Sequence, residues 1–195
     1  MSSVCKILLL AGLLISATFS YGNTIEYKPD ENGDIVYTLT LEDLPFSKED
    51  GFKAAKKYFE TAYKNTKYKI TYESETDGII LGEGSFQQFF QGGNAIKVMT
   101  FNVDFKLRAD AKDNRTRLQI IAKNYEVATI SDLGGNEKNI ISITSVSPFT
   151  SNKNNKKTFT KAFETLTSLV DKVLNEASES IKSYSPTGNI KSEDW

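Results

Sequence analysis

Two spacings of apolar residues divide this chain into strands and helices. Alternation of apolar and polar side chains is the period of a half-buried strand. It predicts extended segments over residues 24–28, 35–41, 68–73, 79–90, 98–108 and 116–127. Residue pairs that suit tight turns with a positive φ separate several of them, namely Asn32-Gly33, Asp77-Gly78 and Asp113-Asn114. Neighbouring strands are therefore expected to run antiparallel.

A spacing of three and four residues predicts two helices. The first opens at Ser47, whose hydroxyl can accept a hydrogen bond from the N–H of Asp50 in a capping box, and it should end near Asn65. The second covers residues 156–183 and carries an apolar stripe wide enough to lie across a whole sheet. These elements predict an α+β fold, with one antiparallel sheet and both helices packed on its apolar face.

One segment fits neither spacing. Residues 131–155 are rich in Asn, Ser, Lys and Gly, and we interpret them as a long connection inside one domain, because the helix that follows needs a sheet to cover. The predicted domain spans residues 23–184, and residues 185–195 form a polar tail.

The first 22 residues have the pattern of a secretory signal peptide. Lys6 precedes the apolar run 7–15, and the small residues Ser20 and Gly22 follow at the spacing that a signal peptidase reads. The run is too short to span a bilayer, so no transmembrane segment is expected. We therefore expect an exported protein, periplasmic or secreted after cleavage near Gly22. Because Cys5 lies before the apolar run, we expect no lipid anchor at that site.

Composition then excludes several kinds of function. The sequence contains no histidine, and its one cysteine leaves with the signal segment, so histidine triads, thiol nucleophiles, disulfides and histidine- or cysteine-ligated metals are excluded from the mature chain. Without Lys6, 23 basic residues face 25 acidic ones. That balance argues against a nucleic-acid partner, which would need a dense basic surface. The missing disulfides favour a bacterial envelope protein.

Three segments carry a resemblance to a known family. They are the Leu-Pro-Phe entry and helix of residues 44–63, the glycine-punctuated strand 76–86, and the strand–turn–strand of residues 100–124. Together they resemble an uncharacterised exported bacterial family, a domain of unknown function with a TBP-like fold. The resemblance implies a curved antiparallel sheet with two helices on its convex side. It brings no catalytic or ligand residues.

The candidate ligand or partner surface is the polar face of the predicted sheet. Thr100, Asn102, Asp104 and Arg117 would be exposed there together, although an ordinary solvent face has the same composition. The aromatic pair Phe89 and Phe90 is a further candidate, because aromatic residues are too dense in this strand for strict alternation and some could protrude beside Gly92-Gly93. Packing under the long helix explains the same pair.

Other charged clusters have simpler interpretations. Residues 30–34 resemble only the start of an EF-hand calcium loop, because Ile35 and Leu41 occupy the positions where that loop needs glycine and glutamate. A polar turn is therefore expected here. The carboxylates that could serve a glycosidase are Glu73, Glu75 and Asp77, with Glu83 and Asp104 as a further pair. Two groups of lysines, one on the first helix and one at the start of the second, could attract anionic lipid or glycan, although a solvated helix face explains lysines of this kind more simply. They are Lys53, Lys56, Lys57 and Lys64, and Lys153, Lys156, Lys157 and Lys161.

These observations favour a non-enzymatic binding or interaction module with no catalytic residues, no cofactor and no metal. The expected partner is an envelope protein, a glycan or a small polar ligand. A carboxylate-based glycan hydrolase and a carrier that holds an amphiphile between the sheet and the second helix are the alternatives. The sequence leaves the oligomeric state open.

Overall fold

The fold is described by a computed structural model that covers residues 25–63, 69–94, 96–132, 135–151 and 153–186. The predicted signal segment and Cys5, the expected end of the first helix near Asn65, and residues 187–195 of the predicted tail lie outside the described residues. Seven strands and two helices make up the described fold. They are β1 (Glu26–Pro29), β2 (Ile35–Leu41), α1 (Lys48–Tyr63), β3 (Lys69–Ser74), β4 (Ile79–Gly93), β5 (Lys97–Lys112), β6 (Arg115–Ser131), β7 (Asn136–Ser142) and α2 (Lys156–Lys182).

The strands form one curved antiparallel sheet in the order β1-β2-β6-β5-β4-β3. β6 is long enough to serve two partners along one edge, because β2 pairs with residues 116–122 and β7 with residues 124–130. The predicted α+β fold is thereby confirmed. The turns are confirmed as well, since Gly33, Gly78 and Asn114 all adopt the positive φ expected of them.

Residues 131–155, interpreted from the sequence as a long connection, contain regular structure that the pattern did not predict. This segment contains β7 and a short 3₁₀ turn, Ile143–Ser145. The strand escaped the pattern analysis because Asn136–Ile140 are all exposed, so no alternation of buried and exposed side chains marks them. Its position is set by main-chain pairing with β6.

The core lies between the sheet and the two helices. Alternate residues of the three central strands point into it, such as Tyr37, Phe101 and Ile120, each with none of its surface exposed. The stripe of α2 meets them from the other side, with Leu166 and Val170 equally buried. We call this the helix face of the sheet, and the opposite side the open face.

Two irregularities break the alternation. Between Phe86 and Phe90 the residues of β4 outnumber those of β5, and Gln88 takes a positive φ, which marks a bulge. In β6 a second irregularity falls at 123–124, so that Ala122 and Tyr125 both face the core.

Among the described helices, neither combines the length and the apolar character that crossing a membrane requires.

Candidate functional site

A cleft of about 880 Å³ lies on the open face of the sheet. The β1–β2 turn forms one side, and strands from β6 across to β3 form its floor and far side. Its charged lining residues are Asp30, Asp34, Lys69, Glu83, Asp104, Lys106 and Lys123. Three lysines and four carboxylates therefore face one depression.

The turn side of the cleft is held rigidly by Asp30. Its Oδ1 accepts hydrogen bonds from the backbone N–H groups of Asn32 and Asp34, both at 2.9 Å. These bonds, above all the one from Asp34, hold the pKa of Asp30 below its usual range. This carboxylate closes a polar turn, which agrees with the turn predicted for residues 30–34. In the described residues, no group of three or more carboxylates, histidines or cysteines is arranged to hold a metal ion.

Asp34 points a shielded oxygen toward the cleft. Its Oδ1 receives no hydrogen bond from the part of the chain that the structure describes, and Lys123 Nζ lies 3.7 Å away. Lys123 sits at the irregularity of β6, between the last residue paired with β2 and the first paired with β7. Burial without a hydrogen bond is unfavourable for a carboxylate oxygen, so the nearby ammonium group of Lys123 stabilises it here.

The floor of the cleft alternates in charge across neighbouring strands. Glu83 of β4 lies directly opposite Lys106 of β5 and, on its other side, Lys69 of β3. Asp104 lies opposite Ser85. Within the described chain, neither Glu83 nor Asp104 has an ion pair, nor do Lys69 and Lys106, whereas eight such pairs occur elsewhere or at the rim. These side chains are thus free to contact a ligand.

A second charged group occupies the other end of the open face. The carboxylate of Asp110 accepts hydrogen bonds from Arg108 at 2.7–3.0 Å and from Arg117 at 3.0–3.2 Å. Asp110 is nearly buried, and two guanidinium groups satisfy both of its oxygens. This cluster is saturated by its own members and is best explained as a structural brace between β5 and β6.

The structure places the predicted surface residues in three locations. Thr100, Asn102 and Asp104 lie on the open face of β5, but only Asp104 lines the cleft. Arg117 shares that face at the far end, opposite Asp110. Asp110, the partner of Arg117, lies eight positions after Asn102 along β5, a distance of roughly 27 Å. Arg117 therefore does not share a site with Asn102 and Asp104, which together line a smaller depression beside the cleft.

Phe89 and Phe90 lie on the helix face instead. Phe90 pairs with Phe101, and their rings are 5.5 Å apart. Phe89 lies 6.3 Å from the ring of Tyr125. Both are half-buried against the core, so the structure separates them from the polar surface with which the sequence analysis grouped them.

The other carboxylate candidates are not brought together. Glu73 is directed to the helix side, where it pairs with Lys56 of α1 at 2.9 Å. Asp77 stays in its own turn and accepts a 2.7 Å hydrogen bond from Ser74. Glu83 and Asp104, by contrast, share the cleft, and their diagonal positions on adjacent strands correspond to about 7–8 Å between Cα atoms.

Sequence reasoning missed most of the cleft. Asp30 and Asp34 were assigned only to a turn, and Lys106 and Lys123 were not singled out. The alternation of polar residues along β5 and β6 indicates a polar face that includes Lys106 and Lys123. Whether the β1–β2 turn adds Asp30 and Asp34 to that face depends on how the sheet curves. That curvature is not visible in local spacing.

Comparison with known proteins confirms the resemblance. Residues 37–126 match the family model of a domain of unknown function, DUF4468, with a TBP-like fold. A solved DUF4468 family protein from Bacteroides ovatus is 14% identical, with a TM-score of 0.51 over 82% of this chain and 92% of that one. A TBP-like protein from Parabacteroides distasonis is 16% identical, with a TM-score of 0.50 over 77% of this chain and 96% of the other. At these identities the similarity establishes the fold. No curated protein matches the sequence significantly.

Proposed function

We propose that this protein, whose fold is that of a family without an assigned function, is a non-enzymatic binding module of the bacterial envelope. Its ligand site is the cleft on the open face. The observation that carries the proposal is the set of unpaired charges there, because Lys69, Lys106, Glu83 and Asp104 converge on one depression without neutralising one another within ion-pair distance.

The chemistry of the lining selects a hydrophilic ligand. The volume lies within the usual range for small-molecule sites, and seven charged side chains line the cleft together with apolar residues such as Phe105 and Ile121. Donors and acceptors of both charges suit a molecule that is itself rich in hydroxyl or zwitterionic groups. A glycan fragment or a short peptide has this character.

Native mass spectrometry would test the proposal most directly. The chain from Asn23 onward would be purified gently from the envelope of its own cells, and a bound small molecule would appear as added mass. Lys106→Gln combined with Asp104→Asn should abolish the adduct. Lys112→Gln is the matched control, because Lys112 is also an exposed lysine of β5 but lies outside the cleft.

Two results would overturn the binding site. A bare protein at every stage of purification would remove its basis. An adduct that survives the double substitution would place the ligand elsewhere, and a lipid mass of that kind would favour a carrier.

A glycan hydrolase is the second candidate, since Glu83 and Asp104, on diagonal positions of adjacent strands, bring two carboxylates into one cleft, as glycoside hydrolysis requires. The same experiment distinguishes it. Incubation of the protein with the captured ligand would then yield products heavier in total by one water, and Glu83→Gln would stop the conversion while the ligand stays bound.

A further inference from the structure

The end of the molecule at the β4–β5 turn exposes a patch of aliphatic side chains. Ile96 in the turn is 54% exposed, Val98 of β5 is 39% exposed and Ile130 of β6 is 56% exposed. Val98 and Ile130 are directly opposite each other in the sheet. The carbonyl of Ile96 accepts a 3.1 Å hydrogen bond from the N–H of Asp132, which holds the turn beside β6. The three exposed side chains therefore lie close together at this end of the sheet.

Four lysines surround the beginning of α2. Lys153, Lys156, Lys157 and Lys161 are all exposed and line one shallow depression. Within the described residues none of them has an ion pair. Later lysines of the same helix do, as in Lys172 with Glu176 and Lys182 with Glu179.

This concentration of positive charge is unfavourable for the isolated protein. The N-terminal end of a helix already carries partial positive charge, and cations there are destabilising. No acidic residue lies in the first turn of α2, and the side chain of Asn155 does not cap its amides. An external anion would relieve both costs.

The aliphatic patch and the lysines lie at the same end of the molecule but on different sides of the sheet, because Val98 and Ile130 point to the open face and α2 covers the helix face. A Cβ built on Gly92 would be 2.8 Å from Thr158 Cγ2, so the first turn of α2 abuts the end of β4. The next residue, Gly93, pairs with Val98. Lys97, exposed between Ile96 and Val98, adds a fifth lysine.

We propose that this end of the protein docks on an anionic phospholipid surface. The exposed aliphatic side chains can enter the interfacial layer from the open-face side of this end, while the lysines around the start of α2 contact the phosphates from the other side. The whole chain has a net charge of −1, so the attraction is local and orients the molecule. The carboxylates described at this end are Asp132, Glu137 and Glu164, and a further lysine beside them, Lys138, is already paired with Glu126. The five unpaired lysines therefore give this end of the described structure an excess of positive charge, which favours a surface of phosphate groups.

Vesicle binding provides the test. The chain from Asn23 onward keeps every core residue, since these lie between Ile35 and Ile181, and it lacks the apolar leader that would bind lipid by itself. Sedimentation would compare vesicles of pure phosphatidylcholine with vesicles containing 30% phosphatidylglycerol, a composition in which each surface lysine contributes about five-fold to affinity.

Binding is expected only to the anionic vesicles. Replacing Lys153, Lys157 and Lys161 by Gln should weaken it on the order of a hundred-fold. The control replaces three other exposed and unpaired lysines, Lys28, Lys57 and Lys112, and should change it little. Ile96→Ser should also weaken binding, whereas Ile140→Ser, at a residue 67% exposed on β7, should not.

Three results would overturn the proposal. Equal binding to both kinds of vesicle would remove the charge requirement. An equal loss in the control triple variant would show attraction without a site. Tighter binding to polyglutamate than to the vesicles, lost in the first triple variant, would assign the lysines to an acidic protein partner.

Discussion

At the scale of single residues, two buried tyrosines show how one hydroxyl can stabilise a core and another can weaken it. The hydroxyl of Tyr37 lies 3.1 Å from Thr167 Oγ1 in α2. That of Tyr125 is buried without a hydrogen-bond partner in the described structure. A buried polar group without a partner loses its water and gains nothing in exchange.

Replacing these tyrosines by phenylalanine should therefore have opposite effects. Tyr125→Phe should raise the free energy of unfolding by about 1 kcal/mol, and Tyr37→Phe should lower it by a similar amount. Urea unfolding of both variants at neutral pH measures the difference. If both variants lose stability, Tyr125 has a partner in solution, such as a buried water.

Much of the residue scale could be predicted from the sequence. The positive φ at Gly33, Gly78 and Asn114 followed from residue type alone. The bulge before Phe90 did not, because the dense aromatic residues there fit both an exposed loop and a core position. The register against β5 decided between them.

At the scale of elements, the β3–β4 turn is joined to the sheet by more than its own strands. Gly78 has a φ of 73°, and its carbonyl accepts a 2.7 Å hydrogen bond from the N–H of Ala111. A Cβ built on Gly78 would stand 2.4 Å from the carbonyl oxygen of Ala111. The turn and the end of β5 thus approach too closely for any side chain.

Gly78→Ala should destabilise the protein by more than the roughly 1 kcal/mol that an unfavourable φ alone costs. Gly135→Ala is the matched control, since Gly135 also has a positive φ, of 122°, but no atom of the described residues lies within 4 Å of its Cβ position. Thermal unfolding of the two variants separates the steric part from the conformational part. An equal loss of stability in the two variants would mean that the end of β5 shifts to make room for the added methyl group.

The strand β7 marks the limit of prediction at this scale. Strands that cover a core reveal themselves by alternation, and β2 was placed correctly at Ile35–Leu41 for this reason. β7 buries few side chains. Its position is specified by main-chain pairing with residues 124–130 of β6, the strand before it in the chain. Local pattern carries no signal for such an edge.

At the scale of the whole molecule, the absence of histidine shapes the response to pH. Burial raises the pKa of both Tyr37 and Tyr125 above the usual tyrosine range. The folded state therefore retains two protons that the unfolded chain releases above about pH 10. The stability associated with these protons is complete below that pH and is lost as the pH rises beyond it.

Urea unfolding between pH 9 and 11.5 should show this loss, with a slope approaching about 1.4 kcal/mol per pH unit for each buried tyrosine. Tyr125→Phe should remove one of the two contributions, and Tyr72→Phe, at an exposed tyrosine, should leave the slope unchanged. A slope that is the same in all three proteins would show that other groups govern alkaline unfolding.

The layered architecture could be predicted from the faces of the elements, because a striped helix and an alternating sheet have few ways to cover each other. The cleft could not. It joins a turn near residue 30, a strand near residue 70 and two strands beyond residue 100. Only the curvature of the finished sheet brings them together.

The edge of β6 that two strands share contains a break in the main-chain pairing. β2 and β7 follow one another along this edge, and Lys123 lies between them, where neither strand pairs with the backbone of β6. The cleft opens directly over this gap. A ligand that contacts both the β1–β2 turn and the floor of the cleft would bridge this break in the pairing. Ligand binding should therefore first slow the rate at which the β1–β2 hairpin detaches from β6.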